Sequence, residues 1–145
     1  MSSAIAELKP MMIQEKNRIF RLKCKAQETA EIKLFLVKLL GNNKTEKMID
    51  CENYYIALDK HLQTKINFWK GCIDGKIPSK MLPEIQESMI EWLETGWKYF
   101  GQENIKNDSE QAKDEFAFMK LMCERLSEKK SKKNSKKKNQ SFTSL

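Results

Sequence analysis

The side chains that most often perform chemistry are few in this sequence and lie far apart. The single histidine, His61, and the four cysteines, Cys24, Cys51, Cys72 and Cys123, are separated from one another by ten or more positions. None of the spacings Cys-x-x-Cys, His-Glu-x-x-His or Gly-x-Ser-x-Gly occurs, so the usual patterns of a zinc site, a zinc protease and a serine hydrolase are missing. We therefore expect a non-enzymatic protein with no metal, cofactor or small-molecule substrate.

One short stretch resembles a phosphate-binding loop only in part. Gly71, Gly75 and Lys76 have the order of that motif, but the stretch is one residue short and no Ser or Thr follows the lysine to bind magnesium. The stretch also lies between two predicted helices, whereas the motif follows a strand. We reject a nucleotide site here. We also expect His61 to lie at the surface or boundary of its helix rather than to act as a base.

The compartment is predicted from what the sequence lacks. No export or lipidation signal is visible in the first thirty residues, so we expect a reducing compartment and four cysteines present as thiols. The longest nearly uncharged stretch, Leu34–Leu40, is far shorter than the roughly 20 residues that a membrane-spanning helix needs. We therefore expect no membrane partner.

The strongest chemical signal is a lysine-rich tail near the end of the sequence. Residues 128–145 contain seven lysines and one glutamate, which is +6 of the net charge of +7. Because residues 129–138 contain neither Arg nor an aromatic residue, the tail would bind phosphates without reading bases. Such a run is also typical of a nuclear-import signal. The candidate polyanion or import residues are Lys129, Lys130, Lys132, Lys133, Lys136, Lys137 and Lys138.

The tail carries two further hypotheses. Residues 129–138 are only Lys, Ser and Asn, so we expect the segment 128–145 to be disordered. Phosphorylation of Ser131, Ser135 or Ser141 would place negative charge among the lysines and weaken polyanion binding. The last three residues, 143–145, have the form of a C-terminal ligand for a peptide-binding groove.

Apolar residues recur with the helical period in four stretches, and no convincing strand pair occurs. We predict an all-α fold in which residues 1–9 are a flexible N-terminus and residues 10–127 form one domain. Its first two helices should form a long antiparallel, coiled-coil-like hairpin, against which two shorter helices pack. The helices are predicted at Pro10–Leu40, from a Thr45 cap to about Lys70, from Pro83 to Gly101, and from a capping box at 108–111 to Leu126.

The predicted lengths suggest a partner. A first helix of about 31 residues would span roughly 46 Å, more than the two shorter helices can cover. Apolar residues seven apart along the hairpin would then engage another helical chain or a second copy, while the polar Thr29 and Lys33 would set the register. The predicted interface residues are Met12, Ile19, Leu22, Leu36, Met48, Tyr55, Leu62 and Trp69.

Three patterns within the helices give more local predictions. Aromatic residues should join the second and third helices, with Tyr54 and Tyr99 as their exposed members. The stretch Leu34–Leu40 is apolar almost all round, so we expect it to be enclosed. Four glutamates of the third helix should form a solvated stripe, namely Glu84, Glu87, Glu91 and Glu94.

Taken together, these patterns predict a non-enzymatic helical interaction subunit of a larger nuclear complex. One alternative is a protein that binds nucleic acid or chromatin through the lysine-rich tail. A second is a cytoplasmic, cytoskeletal subunit at microtubules or centrosomes, where acidic tubulin tails are another polyanion. Localisation of a tagged copy in cells, with and without the tail, separates the three interpretations.

Overall fold

The computed structural model describes the backbone of residues 2–76 and 78–143, and the side chains of residues 7–76 and 78–127. Within these residues the fold is all-α, as predicted, and contains no strand. Two short 3-10 turns, Gly41–Asn43 and Ser79–Met81, interrupt the helices. The five α-helices are α1 Ser2–Lys33, α2 Phe35–Leu40, α3 Glu46–Ile73, α4 Leu82–Phe100 and α5 Gln102–Thr143.

The predicted helical hairpin is present, with α1 and α2 as one arm and α3 as the other. Thr45 caps α3 as expected, because its side chain accepts a hydrogen bond of 3.3 Å from the Met48 backbone N–H. Unlike the prediction, the first arm is interrupted at Leu34, where φ is −92° and ψ is 1°. Helical hydrogen bonds still flank this residue, since Leu34 N donates to Ala30 O and Lys38 N donates to Leu34 O. The interruption is therefore a local distortion within a continuous series of helical hydrogen bonds.

The remaining helices cover one side of the hairpin. Helix α3 packs against α1 and against α4, and α4 packs against α5. The α4–α5 contact is close, because a Cβ atom on Gly96 would lie 2.8 Å from Cδ1 of the buried Ile105. The main core contains residues of four helices. They include Met12, Ile19, Leu62, Ile66, Trp69, Ile85, Met119, Met122 and Leu126.

The start of α1 differs from the prediction. The helix begins at Ser2, eight positions before Pro10, so the segment expected to be a flexible N-terminus is helical from Ser2 onward. A proline inside a helix lacks one hydrogen-bond donor and costs about 3 kcal/mol. Burial offsets this cost, because Leu8 and Met11 pack against the main core and Met12 is fully buried within it.

The start of α5 also lies earlier than predicted, at Gln102 instead of near Asp108. A single residue, Gly101, separates α4 from α5 and has φ +91°, a conformation that suits glycine. The first turns of α5 gain the burial of Ile105, a contact with α4 that the local sequence does not show. The predicted disorder of residues 128–145 concerns residues whose side chains lie outside the described part of the chain.

The hairpin extends past the corner between α4 and α5. The rings of Phe100 and Tyr99 lie 4.9 Å and 6.0 Å from the Tyr54 ring, so this corner lies level with Tyr54, in the third turn of α3. The 28 residues of α3 span about 42 Å, whereas the 19 residues of α4 span about 28 Å. We refer to residues 31–52, which form the end of the hairpin around its turn, as the hairpin tip.

Candidate protein-interaction surface

An apolar face on the hairpin tip is the most prominent feature of the described surface. Ile32, Phe35, Leu36 and Leu39 have i, i+3, i+4 and i+7 spacing, so they lie on one side of the first arm. Their exposed fractions are 79%, 61%, 57% and 68%. We refer to these four residues as the tip face.

The tip face contradicts the expectation that Leu34–Leu40 is enclosed. Within α2 only Val37 is buried. The reason is the position of the α4–α5 corner, which lies level with Tyr54, so that among the described residues α3 is the main helix packed beside α2. The apolar composition of this stretch indicated burial, but the described residues of the chain leave most of its side chains exposed.

A second set of exposed apolar residues begins at the tip and continues along the hairpin. Ile13 and Phe20 are seven apart in α1, and Ile49 at the tip and Ile56 are seven apart in α3. Ile56 lines a shallow groove of about 480 Å³ between the two arms, together with Ala30 of α1 and other residues of both helices. The hairpin thus presents apolar side chains at heptad spacing on its solvent side as well as at its tip.

Four of the eight predicted interface residues are in the protein's own core. Met12, Ile19, Leu62 and Trp69 are buried in the same core cluster as residues of α5 such as Met119. For these four the prediction of a partner contact is wrong. The reason is that α5 lies beside this part of the hairpin and supplies the apolar side chains that a partner was expected to supply.

The other four predicted interface residues keep access to solvent. Leu22 and Leu36 are exposed, and Met48 and Tyr55 are half-buried. Two of them, Leu36 and Met48, belong to the hairpin tip. The heptad positions of the two hairpin arms therefore include both buried core residues and exposed residues. The sequence does not separate the two kinds, because both recur with the same period.

Leu22 lines a groove of about 390 Å³ between α1 and α5, with Leu58 and Leu62 of α3 also in its wall. Glu115 of α5 stands in this groove and accepts a hydrogen bond of 2.6 Å from Lys65 Nζ and one of 3.2 Å from Arg18. Burial raises the pKa of Glu115, but the two cations outweigh it and hold the pKa below its ordinary value. The ion pairs join α1, α3 and α5 across this groove.

His61 is buried, with 2% of its surface exposed, so the expectation of a surface or boundary position is wrong. Its Nδ1 lies 2.9 Å from Ser88 Oγ, and its ring stacks on Trp92. Ser88 Oγ donates to Ile85 O, and Thr64 Oγ1 donates to His61 O. Because the serine proton already has Ile85 O as its acceptor, we assign His61 Nδ1–H as the donor to Ser88.

This assignment bears on chemistry, because a catalytic histidine would have to accept the serine proton. Burial, with a contribution from Lys65, lowers the pKa of His61 to about 3. A neutral histidine that donates to an enclosed serine is a structural link between α3 and α4. The pair resembles a nucleophile and its base only in composition.

The cysteines are free thiols, as predicted. Cys51, Cys72 and Cys123 are buried, and burial, with the neighbouring Cys123, raises the pKa of Cys72 to about 12. Among the described residues, no group of three or more His, Cys, Asp or Glu side chains is close enough to hold a metal ion. The same part of the chain contains no helix long and apolar enough to cross a membrane.

The aromatic residues join α3 and α4, as predicted, but their exposed members differ. Tyr54 is buried and packs on Trp92 and Phe100 of α4, while Tyr99 is half-buried. The exposed aromatic residues of α4 are instead Phe100 and Trp97. The prediction of the exposed aromatic residues was wrong because the helical period does not show which side chains the α4–α5 corner covers.

Charged side chains follow the predictions more closely. All four glutamates of the α4 stripe are exposed, and one of them, Glu91, pairs with Lys60 at 3.5 Å. The lysines of the tail and the C-terminal residues 143–145 lie outside the described side chains. Their roles in polyanion binding, nuclear import and peptide recognition stay predictions.

No family model, curated protein or solved structure matches this chain. The interpretation of the surface therefore depends on its own geometry. The features that carry it are the tip face, the exposed heptad positions of the hairpin and the lysine-rich tail.

Proposed function

We propose that the protein is a non-enzymatic interaction subunit that binds a helical protein chain through the hairpin tip, within a larger nuclear complex. The observation that carries this proposal is the tip face, where Ile32, Phe35, Leu36 and Leu39 are each more than half exposed. Exposed Leu and Ile residues that are scattered singly are ordinary on protein surfaces. Four at helical spacing form a continuous stripe that another helix can cover.

The size of the tip face supports the same function. At roughly 150–200 Å² for each fully exposed large side chain, the four exposed fractions amount to about 400–500 Å² of apolar surface. The largest apolar patch on a typical monomer has ~300–600 Å² and often binds a partner. Leu40 and Ile49, which are also exposed at the tip, extend this surface.

A photo-crosslinking experiment in cells tests the proposal. A photoreactive phenylalanine analogue replaces Leu39 in the tip face, and the matched control carries it at Glu87 in the solvated stripe of α4. We expect position 39 to give a discrete crosslinked band and position 87 to give none, because only the tip face would lie within a contact. The readout is a denaturing gel followed by mass spectrometry of the crosslinked chain.

Two results would contradict the proposal. The first is the absence of a discrete product from position 39 in cells where the chain is expressed and folded. The second is an equal set of products from positions 39 and 87, which would indicate random collision. A crosslink to another helical protein and a crosslink to a second copy both support an interaction subunit.

A second candidate function, binding of nucleic acid, is favoured by the concentration of +6 charges in residues 128–145. Truncation after Ser127 should abolish binding to a DNA duplex measured by fluorescence anisotropy, and binding by the full chain should fall steeply with salt because counterions are released. The matched control replaces all seven tail lysines with Arg, which keeps the charge. Binding that survives truncation would exclude the tail as the nucleic-acid site.

A further inference from the structure

The hairpin tip is a two-helix layer that continues from a four-helix body. In the body, the layer of α1 and α3 is covered by α4 and α5. At the corner, where Tyr99 and Phe100 pack on Tyr54, this cover ends. Beyond it Val37 is buried, whereas the neighbouring Phe35, Leu36 and Leu39 are exposed. The cross-section of the tip lacks two helices, and a pair of antiparallel helices would complete it.

The charge of the tip does not select an oppositely charged partner. Residues 31–52 contain four basic side chains, Lys33, Lys38, Lys44 and Lys47, and four acidic ones, Glu31, Glu46, Asp50 and Glu52. The tip is therefore neutral in a chain of net charge +7. The excess charge lies after Leu126, which packs with Met12 and Met81 in the part of the core remote from the tip. Two tips can approach without the repulsion that two whole chains would otherwise experience.

The spacing of the tip face is symmetric about the point between Phe35 and Leu36. An antiparallel copy of the same arm places Ile32 opposite Leu39 and Phe35 opposite Leu36, so every apolar residue meets another one. A two-fold symmetric interface requires such a self-complementary patch. No charged residue belongs to the tip face, and Lys33, which lies in the same segment, is directed over the rings of Tyr55 and Tyr99 at about 6 Å.

We infer that the hairpin tip binds the tip of a second copy of this chain, in an antiparallel, two-fold symmetric arrangement that completes a four-helix layer. This inference deepens the proposed function, on which it rests, by naming the partner. The two tip faces together offer roughly 800–1,000 Å², less than the roughly 1,200–2,000 Å² of standard interfaces and in the range of weak, transient contacts. We therefore expect a weak dimer that exchanges with the monomer.

Sedimentation velocity of the purified full chain, over two decades of micromolar concentration, tests the inference. The wild-type protein should shift from its monomer mass of 17.1 kDa toward twice that mass. The double substitution Phe35→Asp and Leu39→Asp should raise the dimer dissociation constant at least tenfold, because it places charges in the contact. The matched control is Ile90→Asp, which changes an exposed isoleucine of α4 and should leave dimerisation unchanged.

Disulfide crosslinking tests the antiparallel geometry of the proposed dimer. In the antiparallel arrangement the two-fold axis passes between residues 35 and 36, so the two copies of residue 36 are offset by only one residue along the arm and the variant Leu36→Cys should form an intermolecular disulfide on mild oxidation. The variant Ile90→Cys provides the control for random collision and should not. Circular dichroism verifies that each variant is folded, as expected for substitutions of exposed side chains.

The outcomes separate the inference from the proposed function. A wild-type chain that stays monomeric throughout, or an Asp variant that dimerises like the wild type, overturns the inference. If that chain is crosslinked from position 39 to a different helical protein, the proposed function survives and the tip has another partner. If neither dimer nor crosslink is found, both are wrong.

Discussion

At the scale of single residues, a buried polar cluster that stabilises the fold can be mistaken for a catalytic site. His61, Ser88 and Thr64 have the residue types of a hydrolytic site, and the sequence alone could not show that they meet. Their contacts require the pairing of α3 with α4, which is a tertiary event. The chemistry could be judged only from the hydrogen bonds, in which His61 donates and Ser88 has its own acceptor.

The pH dependence of stability follows from the same histidine. The pKa of His61 is near 6.5 in the unfolded chain and is lowered to about 3 by burial in the fold. Between these values the unfolded chain binds a proton that the native protein does not. The free energy of unfolding should therefore fall as the pH decreases through this window, by at most ~1.4 kcal/mol for each pH unit.

The variant His61→Gln should have a shallower pH dependence, measured by urea unfolding between pH 6.5 and 4.5. Glu115, whose pKa is lowered from 4.5, contributes mainly below this interval. The control Ser88→Ala keeps the imidazole and its pH dependence but should lose about 1–3 kcal/mol at pH 7, because a buried donor loses its partner. An unchanged slope in His61→Gln would show that His61 is not the titrating group.

At the scale of helices, the sequence predicted the ends that are set by local hydrogen bonds. Thr45 caps α3 and Gly101 ends α4, because each acts through atoms within four residues of itself. The early start of α5 was missed, since it is stabilised by Ile105 packing near Gly96 on another helix. The early start of α1 was missed for the same reason, because Leu8 gains its burial from residues far along the chain.

The start of α1 can be tested at Pro10. If the helix begins at Ser2, the variant Pro10→Ala restores a hydrogen-bond donor inside it and should stabilise the protein by about 1–3 kcal/mol. If the helix began at Pro10, the substitution would be neutral or slightly unfavourable, since proline suits the first helical position. The midpoint of thermal unfolding distinguishes the two. The variant Pro83→Ala, at the first turn of α4, is the control and should show little change.

At the scale of the whole molecule, helix length was the informative quantity. The sequence predicted a hairpin longer than its covering helices, and the structure agrees in outline. It could not predict which apolar positions remain exposed, because internal and external positions have the same heptad period. Met12 and Leu36 illustrate this, since both belong to the predicted surface and only the second is accessible. The difference depends on where α5 lies, and hence on an arrangement of all the helices.

The one-residue corner at Gly101 has a consequence for how such a molecule could change over time. Because α5 begins directly after this glycine, the position of Gly101 in the sequence determines how much of the apolar surface of the hairpin stays exposed. Each helical turn inserted on both sides of it would advance the corner by 5.4 Å along the hairpin. If the hairpin tip binds a partner as proposed, insertion of a few residues on each side of Gly101 would cover the tip face and abolish that binding, whereas a deletion of similar size would expose Tyr54 and Leu93.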